Sequence, residues 1–258
     1  MQGAWITAQP HIASLLQQEI PQVLALIGET GCGKHTVCAE MARKLDTSVD
    51  DISSQISEQL IDELYQSPIQ KIYLVDISKV AERWQNALLK LLEEPPAASH
   101  IVVIAETEVG LLDTVAGRCF KVHFRPYCES ILRQCAEDDW KYCQFCTTPG
   151  QIVALRQEDM EALFALSELI VDKLCVASIP NALSLVEKIR WKDEKGKHPW
   201  HALMQTVSGL AYRRMAGGTN AGYYYKVLMA SQAFLRDALT PNIDKKLRFE
   251  QFIMESKA

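Results

Sequence analysis

Residues 28–36 read Gly-Glu-Thr-Gly-Cys-Gly-Lys-His-Thr, between an apolar run at 23–27 (VLALI) and an amphipathic stretch. Gly28, Gly33 and Lys34 stand at the G-x-x-x-x-G-K spacing of a phosphate-binding loop. That spacing has a physical basis. Glycines let the backbone wrap an anion, the N–H groups point inward, and the start of the following helix adds partial positive charge. Such a loop belongs where a strand hands over to a helix, which confines the chain to a layered α/β architecture. Gly28, Thr30, Gly31, Gly33, Lys34, His35 and Thr36 are expected to form the phosphate site, with Lys34 offering its ammonium to the β/γ phosphates of a nucleotide.

The surrounding pattern agrees. Further apolar runs lie at 71–75 (KIYLV), 101–105 (IVVIA) and 120–124 (FKVHF). The runs at 23–27, 71–75 and 101–105 are nearly continuous, as parallel strands covered on both faces are. The run at 120–124 alternates, with Phe120, Val122 and Phe124 on one side, and so reads as an edge strand. Ile52, Ile56, Leu60, Ile61 and Leu64 share one helical face, and so do Ala87, Leu88, Leu91 and Leu92. Residues 1–125 are therefore expected to form a three-layer α/β core. After Arg125-Pro126 only amphipathic helical segments remain, broken at Pro149-Gly150, Pro180-Asn181, Gly196, Gly217-Gly218 and Pro241. They predict a small helical lid at 126–178 and an all-helical domain at 179–258.

Composition narrows the function classes. At 258 residues and 48% hydrophobic, the chain has ample material for a core and is not a disordered or low-complexity protein. A net charge of −5 argues against a protein that coats nucleic acid through its overall charge. No apolar run reaches the roughly 18 to 20 residues of a membrane span, and MQGAWITAQPH lacks the basic-then-apolar layout of a secretory signal. The 8 cysteines are accordingly expected as reduced thiols, and the location as cytoplasmic.

Two departures weaken the catalytic reading of the loop. The position after the lysine calls for Ser or Thr, whose hydroxyl binds Mg²⁺; here it is His35. Magnesium takes hard oxygen ligands in tight octahedral geometry, so imidazole is a poor replacement, and Thr36 points about 100° further round the helix. The run at 71–76 (KIYLVD) ends in a single acid, Asp76, followed by Ile77 and Ser78, where hydrolysis needs two carboxylates. Asp76 is either a remaining metal contact or a strand-end turn residue. Phosphate binding is compatible with this loop; Mg²⁺-assisted hydrolysis is not expected.

Residues 86–96 read Asn-Ala-Leu-Leu-Lys-Leu-Leu-Glu-Glu-Pro-Pro, an amphipathic helix stopped by two prolines, with Lys90, Glu93 and Glu94 turned outward. This resembles the N-A-L-L-K-x-L-E-E-P-P signature of clamp-loader AAA+ proteins, the DNA polymerase III gamma/tau and delta-prime subunits. The stretch 101–119 (IVVIAETEVGLLDTVAGRC) is similar to the family's sensor-1 strand, helix and Ser-Arg-Cys motif; Arg118 and Cys119 keep their places and Gly117 replaces the serine. The resemblance implies that Arg118 acts in trans on a neighbouring subunit's nucleotide, against the simpler role of a surface arginine paired within its own domain. At the sensor-1 polar position stands Ala105 or Glu106 instead of Thr or Asn. Thr148-Pro149-Gly150-Gln151 resembles the family's lid turn, with Gln151 where many relatives carry arginine, and 242–250 resembles the segment that closes the helical collar.

The resemblance implies a P-loop AAA+ core with a helical lid and collar. It further implies a delta-prime-like, largely non-hydrolysing clamp-loader subunit that binds ATP or ADP weakly or not at all. Its partners would be gamma/tau-type and delta-type subunits, with the sliding clamp and primed DNA met through the assembly. The alternative is an ATP-hydrolysing gamma/tau-like subunit. Cys143-x-x-Cys146, with Cys128 and Cys135 upstream, has zinc-like spacing, but buried free thiols explain it more simply and no metal site is expected. The basic strip Lys188, Arg190, Lys192, Lys195 and Lys197 around Trp191 reads as a solvated loop. Cys32 is read as a small filler within the phosphate loop.

Overall fold

The computed structural model describes residues 8–66, 70–80, 82–176, 178–183, 199–218, 220–237 and 244–257. Two compact units result: Met1–Leu132 with Thr147–Gln151, and Arg133–Cys146 with Ile152–Ala258.

In the first unit, β1 (Val23–Ile27), β2 (Val49–Asp51), β3 (Lys71–Asp76), β4 (Ser99–Ala105) and β5 (Phe120–His123) form one sheet. All neighbours are parallel, in the order β2-β3-β4-β1-β5. Successive side chains point to opposite faces, so each central strand feeds two cores. Leu24, Leu26, Ile72, Leu74, Val102 and Ile104 bury against α1 (Pro10–Gln17) and α2 (Lys34–Leu45). Ala25, Ile27, Tyr73, Val75, Ile101 and Val103 share the other core with α3 (Glu58–Gln66), α4 (Glu82–Glu93) and α5 (Asp113–Ala116). That double burial is what the continuous apolar runs express.

Three details differ from the sequence expectation. The short edge strand β2, Val49-Asp50-Asp51, carries no apolar run. It is held by pairing with β3, by a 2.6 Å ion pair from Lys71 to Asp50, and by Ile72 N–H donating to the Ser48 carbonyl at 3.1 Å. Helix α3 starts only at Glu58, where Ser57 Oγ accepts from Leu60 N–H at 3.2 Å; Ile52 and Ile56 bury their side chains from the preceding turn. At the edge strand β5, Val122 is buried but Phe120 is 55% exposed.

The chain beyond His123 shows no strand among the described residues. Short helices α6 (Glu129–Ala136), α7 (Trp140–Cys143) and α8 (Pro149–Leu155) lead into α9 (Met160–Val176), α10 (Ile179–Leu183), α11 (Pro199–Ala216), α12 (Ala221–Asp237) and α13 (Lys245–Lys257). The second unit's core is aromatic at its centre: Trp200 meets Phe234 edge-on at 5.8 Å and Phe234 meets Phe249 at 6.1 Å between ring centres. Helix α11 stops at Gly217-Gly218, with Gly218 at φ 84°. Gly209, inside α11, has a Phe145 side chain so close that an added Cβ would lie 2.1 Å from it. Gly196, Pro241, the basic strip 188–197 and residues 242–243 of the collar-like segment lie outside the described residues.

Candidate functional site

The loop between β1 and α2 takes the conformation its glycines permit. Gly31 and Gly33 have φ of 82° and 108°, the left-handed region. Gly28 faces Phe124 so closely that a Cβ would lie 2.7 Å from the ring-bearing carbon. Thr30, Gly31, Gly33, Lys34, His35, Thr36 and Asp76 line one cavity of about 330 Å³ at the carboxyl ends of the strands, together with Glu106 and Gly150. All predicted loop residues except Gly28 thus meet in one place. Arg118 is not among them.

What these groups do within the cavity is less suited to a nucleotide than their positions suggest. Lys34 is buried, and its ammonium donates to the carbonyls of Gly28 and, at 3.0 Å, Glu29. Two of its N–H donors are therefore turned to the loop's own backbone. Asp76 accepts on Oδ1 from the backbone and hydroxyl of Ser78, at 3.1 and 2.7 Å, while Oδ2 pairs with Lys79 at 3.3 Å. Both carboxylate oxygens are engaged, and Asp76 caps the short turn Ile77–Lys79. Lys79 also reaches Asp51 at 3.6 Å. Burial raises the Asp51 carboxyl, but the hydrogen bonds from Ser53 and the Lys79 ammonium outweigh it and hold the group below its usual value.

Glu106 was one of two candidates for the sensor-1 position. Both touch the loop: the Ala105 carbonyl accepts from Gly28 N–H at 3.1 Å, and the Glu106 side chain accepts a hydrogen bond from the Thr30 hydroxyl. A carboxylate there opposes a bound phosphate.

A second segment presses on the loop from the turn before α8. Gly150 N–H donates to the Gly31 carbonyl at 2.9 Å, and Thr148 Oγ1 donates to the Thr30 carbonyl at 3.0 Å. Thr147 Oγ1 donates to Glu29 at 2.5 Å. The two glycine backbones are so close that a Cβ on Gly150 would lie 2.4 Å from Gly31 Cα. Gln151 turns back on its own turn. Its Oε1 accepts from Thr147 N–H at 2.7 Å and Thr148 N–H at 3.3 Å, while Thr148 Oγ1 accepts from Gln151 N–H at 3.4 Å. This is a capping box, written in the sequence as Thr148-x-x-Gln151 with Pro149 as the first helical residue.

A magnesium nucleotide is the group that a loop of this type implies, and the residues present do not fit it. His35 supplies no hard oxygen, both Asp76 carboxylate oxygens already have partners in the adjoining turn, and Glu106 brings negative charge where the phosphates belong. Among the described residues no group of three or more His, Cys, Asp and Glu side chains is placed to hold a metal ion. Burial pushes the Cys32 thiol up, consistent with a filler. Cys143 and Cys146 are buried and hydrogen-bonded to each other.

Arg118 lies away from the cavity, after α5. Its Nε donates to Glu93 Oε1 at 2.7 Å, Nη2 reaches the same oxygen, and Nη1 donates to the Thr114 carbonyl at 2.7 Å.

Comparison with known proteins turns on this same region. A family model described as DNA polymerase III, delta subunit, matches residues 44–128, a stretch that holds both the 86–96 helix and Arg118. Subunit delta' of DNA polymerase III from Yersinia pestis is 26% identical over 140 residues, 49% of this chain and 41% of that protein. Subunit gamma from Buchnera aphidicola of Acyrthosiphon pisum is 35% identical over 100 residues, 34% of this chain and 27% of that protein. Over these stretches the chain is similar to the delta' and gamma subunits of DNA polymerase III. The matched stretches span less than half the length of either relative. A gamma subunit-related protein of DNA polymerase III from Thermotoga maritima superimposes with a TM-score of 0.58 at 16% identity, covering 97% of this chain and 98% of that one. The chain thus shares the fold of that protein, and no helix among its described residues is long and apolar enough to cross a membrane.

Proposed function

We propose that this chain works as a delta-prime-like clamp-loader subunit that hydrolyses little or no ATP itself. The observation that carries the reading is Lys34: the one cation of the phosphate loop is buried against the Gly28 and Glu29 carbonyls. His35, the doubly engaged Asp76 and Glu106, which line the same cavity, support the same conclusion. In this reading ATP or ADP binds weakly or not at all and Mg²⁺ has no site.

The functional division follows the three segments 1–125, 126–178 and 179–258: core, lid and collar. The collar joins gamma/tau-type and delta-type subunits in a ring. Arg118 is offered to a neighbour's nucleotide, where a guanidinium stabilises charge on the transferring phosphate. The neighbour's hydrolysis then releases the sliding clamp onto primed DNA in the cytoplasm.

The gamma-type alternative draws on the 35% identity to a gamma subunit. Turnover of ATP by the purified chain separates the two. The delta-prime reading expects no turnover above that of Lys34→Ala, whereas Mg²⁺-dependent hydrolysis lost in Lys34→Ala would establish the gamma-type reading.

A further inference from the structure

Every carbonyl of the phosphate loop from Gly28 to Cys32 already has a donor within the protein. The Lys34 ammonium serves Gly28 and, at 3.0 Å, Glu29. Thr148 Oγ1 donates to the Thr30 carbonyl at 3.0 Å, Gly150 N–H to that of Gly31 at 2.9 Å, and the Tyr127 hydroxyl to that of Cys32 at 2.7 Å. A loop whose backbone acceptors are all engaged needs no ligand to hold its shape. Three consecutive loop residues take their bonds from one short segment, since Thr147 Oγ1 also donates to the Glu29 carboxylate at 2.5 Å.

That segment, the turn 147–150, also bounds the cavity. Gly150 and Gly31 both line it, and their backbones touch so closely that a Cβ on Gly150 would lie 2.4 Å from Gly31 Cα and 2.8 Å from the Gly31 oxygen. The enclosed volume of about 330 Å³ stands near the lower bound of small-molecule sites, about 300 to 1,000 Å³. A ligand that carries a nucleoside as well as phosphates therefore meets the turn as a wall. The cap between Thr148 and Gln151 ties the turn to itself, so it moves as a unit. Three hydrogen bonds hold it on the loop, and each contributes modestly, so a closed and an open form differ by little.

We propose that the turn 147–150 is an inhibitory clasp on the phosphate loop: it holds the loop in a closed, self-satisfied form, and a nucleoside polyphosphate enters only when the turn has left Thr30 and Gly31. The proposal rests on the reading above that ATP or ADP binds weakly, and it supplies a cause separate from His35 and Asp76. Affinity is lowered by the fraction of molecules whose clasp is closed, so removing its bonds raises affinity.

The test is calorimetric titration of the full chain with ADP, without added metal, for wild type, Thr147→Val and the double variant Thr147→Val, Thr148→Val. Valine keeps the branched shape and removes the hydroxyl. Thr147 is exposed, so the single variant keeps its fold where loss of the Thr148 cap lowers stability in the double one. ADP is expected to bind about threefold more tightly to the single variant and about tenfold more tightly to the double one. Cys32, 3% exposed in the closed loop, reports the opening without any ligand. Its alkylation by iodoacetamide, followed by peptide mapping, is expected to speed up by similar factors. Unchanged or weaker ADP binding in both variants, or unchanged labelling of Cys32, overturns the clasp. The delta-prime reading is judged separately, by ATP turnover of the wild type. Mg²⁺-dependent hydrolysis there overturns that reading, whereas a silent wild type whose variants gain no ADP affinity overturns the clasp alone.

Discussion

Glu93 holds Arg118 through one carboxylate oxygen, which accepts from both Nε and Nη2 of the guanidinium. Glu93 closes helix α4, the part of the chain that carries the 86–96 signature, so this signature and the arginine are physically joined. The pair is partly exposed, at 33% and 51% for the two side chains, and such pairs are worth at most about 1 kcal/mol. An arginine restrained this lightly can leave for a stronger anion. Glu93→Gln is expected to change stability by less than about 1 kcal/mol and to leave the ATP turnover of a reconstituted clamp loader at or above the wild-type rate. A loss as large as that of Arg118→Ala would mean that the pair, not the released arginine, is the working form.

The contact of Gly31 with Gly150 predicts a cost for the smallest side chain. Gly31→Ala forces a Cβ onto φ 82° and within 2.8 Å of Thr148 Oγ1; Gly150→Ala meets Gly31 Cα at 2.4 Å. Each is expected to destabilise the chain by about 1–3 kcal/mol. Gly222, near the start of α12, has open space around it, so Gly222→Ala is expected to stabilise by up to about 1 kcal/mol. Urea unfolding of the three variants checks both signs.

Removing the carboxylate beside Thr30 should restore some affinity for phosphates. Glu106→Gln keeps the size of the side chain and loses its charge, and is expected to tighten ADP binding about tenfold. Calorimetric titration of both proteins with ADP measures it. Unchanged affinity would locate the barrier in Lys34 and the Gly150 contact instead.

Thiol reactivity follows burial. Burial pushes Cys38 up to about 12 and Cys119 up to about 11, and raises Cys32 as well. Cys128 is exposed, and a hydrogen bond with the Ser130 hydroxyl brings its thiol below the usual value. Of these four, Cys128 alone is expected to react with iodoacetamide near neutral pH, with Cys119 joining only as the pH climbs toward its own value. Peptide mapping after brief alkylation reads the order.

The central strands were legible because β1, β3 and β4 are buried on both faces, which leaves no polar alternation to confuse the reading. Strand β2 was not, because Asp50 and Asp51 oppose it locally and its support comes from pairing with β3 and from the ion pairs with Lys71 and Lys79. The phosphate loop was legible in its glycines. The engagement of Lys34 was not, since its acceptors are backbone carbonyls that leave no trace in residue identity. His35 stood out in the sequence as a poor magnesium ligand, while Asp76 remained open between metal contact and turn residue. Ser78 and Lys79, two and three residues further on, carried the signal for a cap and an ion pair. Gln151 was read against an absent arginine, although Thr148-x-x-Gln151 already spelled a capping box.

The central claim is that this chain serves a neighbour's nucleotide and not its own. ATP turnover by a clamp loader reconstituted with gamma-type subunits, clamp and primed DNA tests it most directly, with Lys34→Ala and Arg118→Ala compared with wild type. The account predicts a loss on the order of a hundredfold or more for Arg118→Ala and little change for Lys34→Ala. A loss carried by Lys34→Ala, with Arg118→Ala close to wild type, would contradict it.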